Sequence, residues 1–176
     1  MANIDKTKKY LYGECKKVEE KILNYIKFYN CMSLATRGER YSQVATVFFA
    51  NKGFTIYFLS TPNNRHEKNM ARDRKVAVTI NGDYYHWKEV KGLQIEGKVH
   101  LITDAKENKE AISVYLKKFP YLFDLLFKDK KPTAIVKDVK KINWYSLDPL
   151  KVRYICNDPE FGHREEIYFE GKIDEF

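Results

Sequence analysis

Leu59–Lys98, LSTPNNRHEKNMARDRKVAVTINGDYYHWKEVKGLQIEGK, is the stretch whose reading decides the fold. It reads as a strand end, a short helix opening near Asn63 or Asn64, a strand over KVAVTIN, an aromatic loop and a strand returning through KGLQIEG. Thr61, Arg65, His66 and Lys68 fall at the strand–helix junction. Free backbone N–H groups and the positive end of a helix dipole point the same way at such a junction, so it suits an anion. Arginine adds a bidentate fork and lysine a point charge, which favours a phosphate monoester over a carboxylate. The plainer alternative, that RHEKNMARDRK is only a solvated helix of mixed charge, stays open on spacing alone.

Working outward, apolar residues recur at Cys15, Val18, Ile22, Ile26 and Tyr29, which predicts a packing helix from Tyr12 to Tyr29. CMSLAT (31–36) reads as a short strand, RGERYS as a turn, and YSQVATVFF (41–49) as a strand with Gln43, Ala45, Val47 and Phe49 on one side. Asn51-Lys52-Gly53 makes a hairpin turn and FTIYFLST (54–61) the returning strand. KVAVTIN has the pattern of a strand buried on both faces, and a long strand is expected from Gly92 to Ile102. Thr103 or Asp104 caps a helix to about Lys118, and Pro120 opens a short apolar helix, PYLFDLLF. Strands over TAIVKDVKKINWYSL and KVRYIC, a loop NDPEFGHRE and a strand EIYFEG complete the chain. Hairpin-scale connections predict a mainly β protein with some α, an antiparallel barrel of six to seven strands with peripheral helices.

The 176 residues fit one domain over 1–176, with 1–29 as an N-terminal helical segment. Hydrophobic content of 44% with 15% aromatics argues for a folded core. No run approaches the ~20 apolar residues of a spanning helix, so no membrane is expected. MANIDKTKKYLYGECKK lacks the apolar centre of a secretory signal. Cys15, Cys31 and Cys156 are odd in number and far apart, fitting neither a disulfide framework nor a zinc site, and a reducing cytoplasm is the expected compartment. His66, His86, His100 and His163 lack the spacing of a catalytic triad or a metal site.

At this point the order of elements resembles the pyridoxamine 5'-phosphate oxidase-like FMN-binding split barrels. The carrying stretches are CMSLAT, QVATVFF, FLSTPNNRHEKNM with DRKVAVTI, KGLQIEGKVHLI and FGHREEI, spanning roughly 30–170. The resemblance implies a split β-barrel and an FMN held near a homodimer interface. It implies that the strand containing Gln43, Val44, Ala45, Thr46 and Val47 runs along the isoalloxazine, with Ala45 and Val47 or Val44 and Thr46 facing it. Leu59, Ser60 and Thr61 match the strand end that meets the ribityl phosphate, and Arg65, His66 and Lys68 its phosphate ligands. Gln94 matches a glutamine that bonds the flavin's polar edge, a role a neutral amide suits because it both donates and accepts. His163 and Arg164 match a C-terminal stretch that in the oxidases helps bind substrate or cofactor, and Arg164 is carried as a cofactor contact.

The implied activity is an oxidoreductase passing electrons through FMN to or from a small molecule, with a nicotinamide as one donor. Three alternatives stand beside it: a haem-binding relative, a split barrel that holds FMN without turning it over, and a module that stacks single-stranded nucleic acid. The last draws on a net charge of +8 and a pI near 9.2, although 24 acids are mixed among the 32 bases. Tyr84, Tyr85, His86 and Trp87 form an aromatic loop suited to covering a ligand or joining a dimer contact, and the contact is the favoured reading.

Overall fold

Alternation of apolar and polar side chains builds the sheet. In the computed structural model, which describes residues 7–123, 142–158 and 160–169, eight strands form one sheet. In chain order the elements are β1 (Thr7–Leu11), α1 (Lys16–Phe28), β2 (Cys31–Thr36), β3 (Gln43–Lys52), β4 (Thr55–Ser60) and α2 (Arg65–Arg72). They continue with β5 (Lys75–Asn81), a 3-10 turn (Trp87–Glu89), β6 (Lys91–Leu101), α3 (Ala105–Lys118), β7 (Asn143–Cys156) and β8 (His163–Tyr168). The strand order β7-β4-β3-β2-β5-β6 closes on itself through a β6–β7 pairing, giving a six-stranded antiparallel barrel. β8 extends β7, and β1 runs parallel to β8 on the outside. Among the described residues no helix is long and apolar enough to cross a membrane.

Register sorts every strand residue to one of two faces. Met32, Leu34, Phe49, Ile56, Phe58, Val78, Ile80, Leu93, Ile95, Val152 and Ile167 fill the interior. Val18, Ile22 and Ile26, four residues apart on α1, join that cluster, so the N-terminal helix packs on the barrel as its periodicity predicts. α3 lies outside, with Ala111 and Tyr115 against Ala50, Tyr57 and Trp144. Asp104 caps it by accepting from the backbone N–H of Lys106 and Glu107 at 2.9 and 2.8 Å. At its other end the Lys118 ammonium donates to the Tyr29 carbonyl, where α1 stops, at 2.6 Å.

β7 is the strand on which the split turns. Its first half pairs with β4 and its second with β8, while β6 pairs with it throughout. At the crossover Pro149 offers no N–H, and the register slips between Glu96 and Gly97. A Cβ on Gly97 would sit 2.6 Å from the Asp148 carbonyl oxygen, a backbone atom that cannot move aside cheaply. Gly97→Ala is therefore expected to destabilise the barrel by about 1–3 kcal/mol, the usual cost of overpacking, read as a lowered urea midpoint with unchanged slope.

Several sequence expectations need correction. KVAVTIN is not buried on both faces: Val76, Val78 and Ile80 are buried and Lys75, Ala77, Thr79 and Asn81 are turned outward. The small residues at 77 and 79 made an apolar run out of what is an alternating strand. Residues 7–11 form a strand ahead of the first helix, because β8 leaves an open edge that they can pair with. β8 begins at His163, inside the expected loop, and β7 is one strand where two were expected. The second half of PYLFDLLF (124–127), and TAIVKDVKK, lie outside the described residues.

Candidate functional site

The β4–α2 junction is shaped by two local features. Asn63 takes a left-handed conformation (φ 74°), which asparagine tolerates, and turns the chain sharply after Pro62. Asn64 is the N-cap residue of α2, yet its side chain donates to Thr61 Oγ1 at 2.8 Å and makes no cap bond to the helix amides. The first-turn amides of α2 therefore receive no side-chain cap from Asn64.

Beside this end lies a crevice of about 400 Å³ lined by Thr46, Val47, Phe48, Leu59, Ser60, Thr61, Asn64, His66, Tyr115 and Tyr121, with Leu122 and Ile142 at its edge. Ser60 Oγ and His66 Nε2 are 2.9 Å apart, and both residues are buried. Burial pulls the His66 imidazole below its ordinary pKa, with the neighbouring Glu67 carboxylate opposing in part, so the ring is neutral at pH 7. The crevice thus gathers hydroxyls, a neutral imidazole and apolar side chains beside the start of α2.

Helical geometry divides the predicted phosphate ligands. His66 faces the crevice, whereas Arg65 and Lys68 lie on the exposed face of α2, in a separate cleft with Glu39, Arg40, Tyr41, Asn69 and Arg72. Gln43, Ala45 and Val47 are half-buried and share the inward face of β3. Val44, Thr46 and Phe48 point outward, and Val44 remains 66% and Phe48 51% exposed.

Register carries that outward face across the sheet. Thr46 pairs with Ser33, Ser33 with Thr79, Thr79 with Gln94 and Gln94 with Arg153, a polar row crossing β3, β2, β5, β6 and β7. A neighbouring row runs from Val44 through Ala35 and Ala77 to Glu96. At about 4.8 Å per strand, Gln94 sits roughly 14 Å from Thr46 along this face. Its Oε1 accepts from Arg153 Nη1 at 3.3 Å. Arg164 is exposed on β8, opposite Ile155, and His163 is half-buried beside it. Within one chain neither Gln94 nor Arg164 lines the Ser60–His66 crevice.

The structure also supplies residues that the sequence did not reveal. Glu67, hidden in what looked like a charge-mixed helix, is buried. It accepts from Asn63 N at 2.8 Å, Asn143 Nδ2 at 2.6 Å and Tyr145 Oη at 2.9 Å, tying the front of α2 to β7. Burial, and then the hydrogen bond to Glu67, push the Tyr145 phenol well above its ordinary pKa. The Asn64-x-x-Glu67 spacing of a capping box was the available signal. On the outer side of β7, Ser146 Oγ lies 2.6 Å from His100 Nε2, and Glu107 Oε1 is 3.0 Å from the same nitrogen. A hydrolytic triad needs the acid on the other ring nitrogen, and Asp148 stands 3.9 Å from it. Ser146 is wholly buried, so this group fastens α3 to the barrel. In the aromatic loop, Tyr84 Oη lies 3.1 Å from Tyr25 Oη and 3.0 Å from Tyr29 Oη, whereas Tyr85 and Trp87 remain exposed.

A closed six-stranded antiparallel barrel with two outer strands and peripheral helices defines a split barrel. The chain belongs to the pyridoxamine 5'-phosphate oxidase family, whose model matches residues 18–156. Among solved structures it is similar to a Listeria innocua protein provisionally designated a pyridoxamine 5'-phosphate oxidase, at 17% identity and TM-score 0.59, covering 78% of this chain and 97% of that one. A FAD-binding protein from Mesorhizobium loti matches at 12% identity and TM-score 0.59, covering 76% and 90%. HutZ, the heme storage protein of Vibrio cholerae, matches at 15% identity and TM-score 0.59, covering 74% and 89%. Identities this low speak for the fold alone. No curated protein matches the chain.

Proposed function

We propose that this protein binds FMN and works as a cytoplasmic homodimeric oxidoreductase acting on a small molecule. The observation that carries the reading is the Ser60–Thr61–His66 end of the crevice, hydroxyls and imidazole gathered at a helix start whose N-cap side chain is turned away. These groups fit a phosphate monoester: Ser60 and Thr61 donate hydroxyl hydrogen bonds, the first-turn amides of α2 donate from the backbone, and the helix dipole favours the negative charge. Phe48, Leu59 and Val47 fit the flat apolar body of a flavin and exclude water from it. When bound, the flavin supplies the hydride and electron chemistry, and the protein supplies position and polarity.

A second copy of the chain completes this reading. The outward face of β3, β2 and β5 is built from Val44, Thr46, Phe48, Ser33, Ala35, Ala77 and Thr79, and much of it is exposed. A partner laid on it buries Val44 and Phe48 and brings its own Gln94 and Arg164 toward the flavin. Gln94 then meets the ring's polar edge as both donor and acceptor, and Arg164 adds a cation.

His66 gives the proposal a pH signature. A phosphate dianion beside the imidazole favours its charged form, so FMN binding takes up a proton. Affinity is expected to rise as pH falls from about 8 toward 6.5, and to level off as the phosphate itself protonates near pH ~6. In the free protein the sign is opposite: a folded pKa below the ordinary histidine value means that stability falls as pH drops below about 6.5. Fluorescence titrations of FMN across this window read the first effect and urea melts the second. The direct test of the proposal is the absorption spectrum of protein purified without added cofactor. Oxidised-flavin bands support it, whereas a Soret band, or a colourless protein that takes up no FMN on titration, contradicts it. Anaerobic NADPH or NADH then separates an enzyme, which bleaches, from a holder, which stays yellow.

A further inference from the structure

The face of α2 turned away from His66 carries Arg65, Lys68 and Arg72 at positions i, i+3 and i+7. With Arg40 and Tyr41 from the β2–β3 connection and the acid Glu39, they line a cleft of about 500 Å³. Arg72 is bound to Glu39, and Arg65 donates to the Tyr41 carbonyl at 3.4 Å. The side chains of Arg40 and Lys68 have no hydrogen-bond or ion-pair partner among the described residues.

This arrangement is costly for the free protein. Like charges three or four residues apart on a helix repel, and cations in the first turns oppose the helix dipole. Four cations face one carboxylate, and the lysine and one arginine are left over. An aromatic ring, Tyr41, stands 74% exposed beside them. Several unpaired cations next to an exposed ring match an aromatic base joined to a multiply charged phosphate chain.

We propose that this cleft is a nucleotide subsite, separate from the Ser60–His66 crevice, which takes a nucleotide carrying at least two phosphate charges. Arg40, Lys68 and Arg65 hold the phosphates and Tyr41 stacks on the base. A free adenine nucleotide and the adenylate end of a pyridine dinucleotide share this chemistry. If the flavoprotein reading holds, the dinucleotide is an electron donor anchored one helix-width from the flavin.

The test is calorimetric titration of the full chain with ADP, pyrophosphate and NADPH, with and without saturating FMN. ADP is expected to bind in both cases, weakened by added salt. The Arg40→Ala/Lys68→Ala variant should weaken ADP binding about tenfold or more, both contacts being solvent-exposed and screened. Tyr41→Leu should weaken ADP but leave pyrophosphate unchanged. Both variants alter exposed side chains, and far-UV circular dichroism confirms their fold. NADPH binding more tightly than ADP identifies the dinucleotide as the occupant, and equal affinity identifies the free nucleotide. No ADP binding at millimolar concentration, unchanged affinity in the double variant, displacement of ADP by FMN, or tight binding of long oligonucleotides only would each overturn the subsite. Because flavin content is read separately from the spectrum, loss of the flavin reading leaves this result interpretable.

Discussion

Replacing Ser60 by Ala and His66 by Leu together is expected to abolish retention of FMN while leaving the barrel folded. Hydrogen bonds to a charged group contribute about 1.5–3 kcal/mol each, so losing the hydroxyl and the imidazole weakens binding by about 3–6 kcal/mol, or about a hundredfold and more. The pair is chosen because its members bond each other at 2.9 Å. Removing both partners of a buried hydrogen bond at once is nearly neutral for stability, whereas removing one leaves a polar group stranded. The double variant should therefore melt within a few degrees of the parent and still lose its flavin. Affinity unchanged within about twofold would remove the crevice from the site, given the size of charge-assisted contacts.

Glu67→Leu is expected to produce the largest loss of stability. The carboxylate is the acceptor for Asn63 N–H, Asn143 Nδ2 and Tyr145 Oη, and it is buried. A leucine fills the volume but leaves those donors facing hydrocarbon, at about 1–3 kcal/mol for each that cannot reach water. A total near 3–5 kcal/mol removes a large part of the 5–15 kcal/mol typical of a domain. Glu67→Gln keeps an acceptor oxygen and should cost distinctly less. Because Asn63 and the front of α2 hang on this acid, FMN affinity should fall in the leucine variant even where it remains folded. Urea unfolding measures the first effect; a leucine variant within about 1 kcal/mol of the parent would show that the network does not hold α2.

Much of this architecture was legible in the sequence because it rests on period. The alternation in CMSLAT and QVATVFF, and the stripe of Val18, Ile22 and Ile26, are local signals that tertiary packing reinforces. The site was legible as a place but not as a surface. Arg65, His66 and Lys68 read as one cluster, yet at 100° per residue His66 points away from the face that Arg65 and Lys68 share. That division depends on where the helix begins, and Asn63 and Asn64 were equal candidates until the left-handed turn at Asn63 fixed it. Gln94 was correctly placed on an alternating strand, but its distance from Thr46 follows from strand order, which no local pattern encodes. Glu67 and the Ser146–His100–Glu107 fastening join residues 39 to 78 positions apart, or pair groups that look solvated in isolation.

A crystal of the protein grown with FMN would show whether a flavin phosphate sits between the end of β4 and the start of α2. The phosphate is expected within hydrogen-bonding distance of the Ser60 and Thr61 hydroxyls and the first-turn amides of α2, with the ring over Thr46 and Phe48. A phosphate seated on Arg40 and Lys68, or a crevice that stays closed by Tyr121 and Leu122 with FMN in excess, would contradict it.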